Sequence, residues 1–127
     1  MPARTTPAPP VLDVSVDISA TPRVVLDAFF DAAALHRWCG TVRSVTLPRM
    51  LGPWVLEWPV ADTRDELLGP LGGCLRGTVM QFEPTRGFFV ADVYWLPPES
   101  GPVGPMALDV ACTLGLTADG RPATRLR

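Results

Sequence analysis

After the first ten residues, the stretch Val11–Ser19 alternates apolar and polar residues from Leu12 onward. A period of two with one polar face is typical of a strand that is buried on one side and wet on the other. We therefore predict a half-buried first strand whose inner side chains are Leu12, Val14, Val16 and Ile18.

A helix is predicted directly after this strand. Thr21 can cap the free backbone N–H groups of a first turn, and Pro22 fits that turn because its missing N–H would have no partner there. Apolar residues then recur at helical spacing over Pro22–His36, with a break expected near Asp31. Gly40 is the predicted stop.

Beyond this helix the period returns to two, which predicts an antiparallel sheet of short strands. A charged, then glycine-rich stretch, Ala61–Gly73, is interpreted as a loop with one helical turn at Asp65–Leu68. A second loop is predicted over Pro97–Pro105. The predicted strands are Val42–Leu47, Trp54–Trp58, Cys74–Phe82, Phe88–Leu96, Met106–Leu116 and Pro122–Arg127.

The two predicted loops also assign the faces of these strands. If both connections close symmetrically, Asp92 lies opposite Val110 and Tyr94 lies opposite Leu108. A slip of one residue would invert the faces, so this assignment depends on the two loops. The predicted inner face comprises Trp54, Leu56, Trp58, Leu75, Gly77, Val79, Gln81, Phe88, Val90, Asp92, Tyr94, Met106, Leu108, Val110, Cys112 and Leu114.

Composition limits the possible classes of protein. The 127 residues are 47% hydrophobic and 19% charged, which suits one folded domain, predicted over residues 11–127. Residues 1–10 are interpreted as a flexible, Pro-rich tail. The net charge of -2 and the scattered arginines argue against nucleic-acid binding, and no apolar run is long enough to insert in a membrane. The 3 widely spaced cysteines favour reduced thiols in the cytoplasm.

Four stretches carry a resemblance to a known family: VDISATPRVV, the run Leu35–Trp38, RGTVMQFEPTRGFFV and the ending GRPATRLR. Together they resemble the START-like (Bet v 1-like, SRPBCC) superfamily, and within it the group related to the activator of Hsp90 ATPase. The resemblance implies an α+β helix-grip fold, in which a curved antiparallel sheet with short N-terminal helices surrounds a long C-terminal helix. It also implies a cavity, which in many members binds apolar small molecules, lipids among them.

The chain departs from that family pattern at its end. Arg127 falls inside a predicted strand, so the domain is expected to be C-terminally incomplete and to lack the long helix. The inner side chains would then be partly open to water, and we expect poor stability, aggregation or a homodimer through the uncovered groove. The residues expected to be open are Leu56, Val79, Val90, Leu108, Val110 and Leu114.

Motifs for chemistry are sparse. The single histidine, His36, rules out a multi-histidine metal site, and the cysteine spacing does not suggest zinc. The glycine-rich LGPLGGCLRG lacks the ending of a P-loop, and no G-x-S-x-G elbow is present. No cofactor or metal is therefore predicted.

The remaining candidates are residues on the predicted inner face. Asp92 would be costly to bury as an ion, so it is interpreted as a ligand anchor or general base, with a structural hydrogen bond as the alternative. Tyr94 and Gln81 are candidate polar contacts, although a buried tyrosine often has only a structural partner. Trp54 and Trp58 could line a pocket for a flat ligand or simply form core. The predicted ligand-binding residues are Trp54, Trp58, Val79, Gln81, Asp92, Tyr94, Leu108 and Val110.

Three functions stay open at this point. The first is binding of a small apolar or aromatic molecule in the groove of the sheet. The second is an enzyme of the cyclase or hydrolase kind that uses Asp92, Tyr94 or His36 as acid and base, although His36 could equally cap a helix end. The third is a chaperone-associated interaction module, which is implied by the resemblance alone.

Overall fold

The computed structural model describes residues 11–67 and 69–127. The Pro-rich tail predicted over residues 1–10 lies outside the described residues. The elements in chain order are β1 (Val16–Ile18), α1 (Pro22–Asp27), α2 (Ala32–Cys39), β2 (Arg43–Thr46), β3 (Pro53–Trp58), β4 (Arg64–Asp65), β5 (Gly69–Pro70), β6 (Gly73–Glu83), β7 (Gly87–Leu96), β8 (Val103–Leu116) and β9 (Pro122–Leu126).

Seven of these strands form one antiparallel sheet in the order β1-β9-β8-β7-β6-β3-β2. The two edge strands, β1 and β2, are the ones that flank the helices in sequence. The short strands β4 and β5 pair with each other, where a loop with one helical turn was expected. That expectation was wrong for the part of the loop that the structure describes; Leu68 lies outside it.

The expected α+β helix-grip class is wrong. Strands make up 49% of the structure and helix 12%, and the described residues contain two helices of six and eight residues. The molecule is a mostly-β domain built on a seven-stranded sheet. The short helices and the residues between them pack on its inner face.

The Thr21 cap, the break near Asp31 and the stop at Gly40 were predicted correctly, whereas the capping role of Asp31 was not predicted. The Thr21 side chain accepts a hydrogen bond from Val24 N, and Pro22 occupies the first turn of α1. Asp31 separates the helices and caps α2, because its carboxylate accepts from Ala34 N at 2.9 Å. Gly40 ends α2 in the left-handed conformation at φ 77°, which glycine adopts without steric cost.

Side-chain donors fix the helical layer to the sheet. Trp54 Nε1 donates to the carbonyl of Phe29 at 3.0 Å, and Thr46 Oγ1 donates to that of Phe30 at 2.8 Å. Thr124 Oγ1 donates to the carbonyl of Ala20 at 2.6 Å. These bonds satisfy carbonyls outside the regular helices, which would be costly to bury without partners.

The core lies between the helices and the middle of the sheet. Val79 and Val90 are fully buried, and Phe88 packs edge-to-face on both Phe29 and Phe30 at about 5 Å between ring centres. The buried cluster comprises Leu26, Leu35, Trp54, Leu56, Val79, Phe88, Val90, Val93 and Val110. The expectation of an open inner face was therefore wrong for Leu56, Val79, Val90 and Val110. It holds for Leu114, which is 65% exposed, while Leu108 is half-buried.

A bulge in β7 inverts the predicted faces of its second half. Between the pairs Val90–Leu108 and Val93–Met106, two residues of β7 stand opposite one of β8, and Asp92 has φ 51°. Val93 is thereby turned into the core, whereas Asp92 and Tyr94 are exposed. The inward placement predicted for Asp92 and Tyr94 was wrong, because it assumed an unbroken period of two.

A second irregularity does the same in β6. One extra residue stands between the pairs Val79–Val90 and Gln81–Phe89, so alternation restarts after Met80. Phe82 consequently packs against the core, and Gln81 is exposed and hydrogen-bonded to Glu83 at 3.3 Å. The inward placement predicted for Gln81 was also wrong.

Candidate functional site

A groove of about 570 Å³ lies beside β8. It is bordered by β8 on one side, by the segment before β1 on the other, and by Leu126 and Arg127. We call it the β8 groove. It is lined by Val11, Leu12, Asp13, Val14, Val16, Phe29, Leu108, Asp109, Val110, Ala111, Leu126 and Arg127.

The apolar lining follows from the alternation of the strands that border the groove. Val16 lies opposite Leu126 in the β1–β9 pair, and Leu126 packs against the core, so both side chains face inward. Val14 shares that parity, and Leu108 and Val110 supply the inner face of β8. Phe29, between the helices, adds an aromatic side chain to the same lining. Val14 is 60% exposed and Val16 50% exposed, so this apolar surface is open to water.

An ion pair lies at the outer side of the groove. Arg127 donates from Nε to Asp13 Oδ1 at 2.9 Å and from Nη2 to Oδ2 at 2.6 Å. This bidentate geometry orients both groups. The hydrogen bond from Arg127 lowers the pKa of Asp13 and, reciprocally, raises the pKa of Arg127. Both side chains are more than half exposed, so the pair contributes little to stability.

Two of the eight predicted ligand residues, Leu108 and Val110, line the β8 groove. Trp54 is 3% exposed and Val79 is fully buried, so both are core residues with no open surface for a ligand. Trp58 donates from Nε1 to the carbonyl of Cys39 at 2.8 Å and borders a separate, shallower opening of about 320 Å³.

The candidate acid and base groups are not brought together. Asp92 and Tyr94 are exposed on β7, whereas His36 is in α2, next to β2. The strands β6 and β3 lie between β7 and β2. Depending on its tautomer, His36 Nδ1 can donate to the carbonyl of Thr41, 2.7 Å away and just beyond the end of α2. An enzyme needs convergent titratable groups, and these three groups do not provide them.

The cysteines are unpaired and spread over α2, β6 and β8. Burial raises the pKa of the Cys112 thiol, which disfavours the reactive thiolate. Within residues 11–67 and 69–127, no group of three or more metal-binding side chains comes together. In the same residues, no helix is long and apolar enough to cross a membrane.

Sequence reasoning missed most of the groove. The first strand was predicted over Val11–Ser19 with Val14 and Val16 buried, but β1 covers only Val16–Ile18 and the two valines are 60% and 50% exposed. Asp13 and Arg127 are separated by 114 positions, and no spacing rule joins residues so far apart.

Comparison with known proteins gives one informative likeness. No family model matches the chain, and no curated protein matches it. Among solved structures it is similar to the Mll3558 protein from Rhizobium loti, with 15% sequence identity and a TM-score of 0.50. The match covers 89% of this chain and 77% of that one. At this identity the likeness concerns the fold alone.

Proposed function

We propose that this protein binds a small apolar or aromatic molecule in the β8 groove. The observation that carries the proposal is an open, largely apolar surface formed by Val14, Val16, Phe29, Leu108 and Val110. Its volume falls within the range of about 300–1,000 Å³ that is usual for small-molecule sites. Each methylene that a ligand buries there contributes roughly 0.8 kcal/mol.

The polar groups are few and lie at the margin of the groove. Asp13 and Arg127 form an ion pair with each other, so an uncharged ligand can bind without breaking that pair. The resemblance to START-like domains, which rests on the sequence stretches quoted above, supports the same class of ligand. We further propose that the protein belongs to the START-like superfamily. A cytoplasmic location and a homodimer through the groove are also part of the proposal.

The experiment is a fluorescence titration with N-phenyl-1-naphthylamine, an uncharged probe whose emission rises in apolar surroundings. We expect saturable binding to the parent protein. The variant Val14→Ser/Val16→Ser should bind at least about threefold more weakly, because four methyl groups leave the groove wall, although their exposed positions reduce the loss.

The matched control is Val42→Ser/Val45→Ser. These valines are 56% and 55% exposed, close to 60% and 50% for Val14 and Val16, and they lie in or next to the other edge strand, β2. The control should keep the parent affinity. Absence of saturable binding, or equal losses in the two double variants, would contradict the proposed function.

A further inference from the structure

Phe29 is the aromatic side chain of the β8 groove. The other apolar side chains among the described residues that line the groove are aliphatic, from valine, leucine and alanine. Phe29 is half-buried, so part of it remains accessible from the groove. Any contact between aromatic rings that distinguishes an aromatic ligand from an aliphatic one at this surface therefore depends on this one residue.

The backbone of Phe29 is fixed on both sides. Its N–H donates to the carbonyl of Leu26 at 3.1 Å, in the turn that follows α1. Its carbonyl accepts a hydrogen bond from Trp54 Nε1 at 3.0 Å. Trp54 is 3% exposed and belongs to the core, so this second bond joins Phe29 to the buried middle of the sheet.

The ring of Phe29 is held by two other aromatic rings. Trp38 packs on it with 5.1 Å between ring centres and an angle of 66° between the ring planes, and Phe88 packs on it at 5.2 Å and 60°. Both arrangements are edge-to-face, a geometry in which the positive edge of one ring meets the negative face of another. A ring packed in this way is already ordered, so a ligand does not have to order it on binding.

The rest of the inner lining gives a ligand apolar contact and no hydrogen bonds. Val14, Val16 and Val110 carry β-branched side chains, which are stiff about χ1, and Leu108 adds a further aliphatic group. None of these four side chains can donate or accept a hydrogen bond. The inner wall therefore selects ligands by apolar contact and by ring geometry.

We propose that Phe29 makes the β8 groove selective for planar aromatic ligands over aliphatic ligands of the same carbon skeleton, by packing the ligand ring against its own as a third aromatic partner. The inference rests on the proposed function and narrows it, because it names the class of ligand and the residue that determines the choice. Well-oriented aromatic pairs attract each other beyond the burial of apolar area, which ligands of both classes share.

A matched pair of ligands tests this selectivity on the unaltered protein. 2-Naphthylmethanol and its fully hydrogenated counterpart, decahydro-2-naphthylmethanol, share a fused two-ring skeleton and an uncharged alcohol. Each is titrated in competition with N-phenyl-1-naphthylamine. Partition of both compounds from water into cyclohexane gives the ratio expected from apolar transfer alone. We expect the ratio of affinities, aromatic over hydrogenated, to exceed the partition ratio at least about threefold.

The variant Phe29→Leu tests the role of the ring. It removes the aromatic group and keeps an apolar side chain at the same position. The ratio of the two affinities should fall at least about threefold, towards the partition ratio. A general weakening of the groove lowers both affinities together, so the ratio isolates the contact between the two rings.

Phe30→Leu is the matched control. Phe30 is the next residue, is also half-buried, and packs edge-to-face on Phe82 and Phe88 at 5.0 Å, but it does not line the groove. This variant removes a ring from the same core and should keep the affinity ratio of the parent. Thermal melts show whether both variants fold. If Phe29→Leu does not fold, the comparison with the partition ratio on the parent protein decides the question.

The outcomes separate the two proposals. A parent affinity ratio equal to the partition ratio, or an equal fall of the affinity ratio in both leucine variants, would overturn the aromatic selectivity and leave the proposed function standing. An unchanged affinity ratio in folded Phe29→Leu would do the same. If N-phenyl-1-naphthylamine does not bind saturably, both proposals fail. A preference lost in Phe29→Leu and kept in Phe30→Leu supports both.

Discussion

Two regions of the sheet share the same alternating pattern but differ in how deeply their apolar side chains are buried. In the middle, Val79 and Val90 face inward and are fully buried beneath the helices. Where β8 pairs with β9, Leu114 and Leu116 also alternate with small or polar residues, yet they are 65% and 73% exposed. Alternation determines which side chains share a face, but the covering layer determines whether that face is core. The exposed side is therefore where a ligand can gain from burying apolar surface.

The largest expected effect contrasts a leucine in each region. Leu26→Ala removes a fully buried side chain packed between α1 and the sheet, which should lower the free energy of unfolding by about 2–5 kcal/mol. Leu114→Ala should change it by no more than about 0.5 kcal/mol, because that side chain is already in water. Urea denaturation of both variants measures the difference. Comparable losses of unfolding free energy would contradict the view that one region is core and the other is not.

A pair of glycines sharpens the same contrast. A Cβ at Gly77 would lie 2.6 Å from Val90 Cγ1 and 2.9 Å from Val93 Cγ2, because the β7 bulge turns Val93 to the same face as Val90. Gly77→Ala should therefore cost about 1–3 kcal/mol of unfolding free energy.

Gly115 in β8 is the matched control. A Cβ there meets nothing within 4 Å, so Gly115→Ala should be neutral or stabilising by up to about 1 kcal/mol. Thermal melts of the two alanine variants compare them directly. A tolerated Gly77→Ala would mean that Val90 and Val93 are not packed on this glycine.

The smallest effect concerns the ion pair at the margin of the groove. Its hydrogen bond to Arg127 lowers the pKa of Asp13 in the folded state, so the pair stabilises the fold above the unfolded pKa of about 3.9. This contribution is lost as the pH falls through the lower, folded-state pKa. Between mildly acid pH and about pH 3, the parent should lose slightly more Tm than Asp13→Asn, and added salt should shrink the difference. A larger loss in Asp13→Asn would reverse the predicted sign.

Local structure was predictable where one residue type has one physical role. Thr21, Asp31 and Gly40 show this, since a capping side chain or a left-handed turn needs little from the rest of the fold. The bulge at Asp92 gave no such local signal. It places Val93 in the core, and that depends on the packing of the whole sheet. The inward placement of Gln81 failed for a related reason, because the alternation restarts after the extra residue, Met80.

The candidate site was only partly predictable. Leu108 and Val110 were identified because β8 keeps an unbroken period of two where it meets the groove. The helix-grip expectation rested on the resemblance, and it failed because the core is covered by residues of the two short helices and by Phe29 and Phe30.

The most direct test of the account is to locate the bound probe. Isotope-filtered NOE spectra of methyl-labelled protein with N-phenyl-1-naphthylamine report which methyl groups lie within about 5 Å of it. We predict contacts to Val14, Val16, Leu108 and Val110, and none to Val79 or Val90, which are fully buried. Contacts confined to methyl groups outside the β8 groove, such as Val42 and Val45, would contradict the central claim.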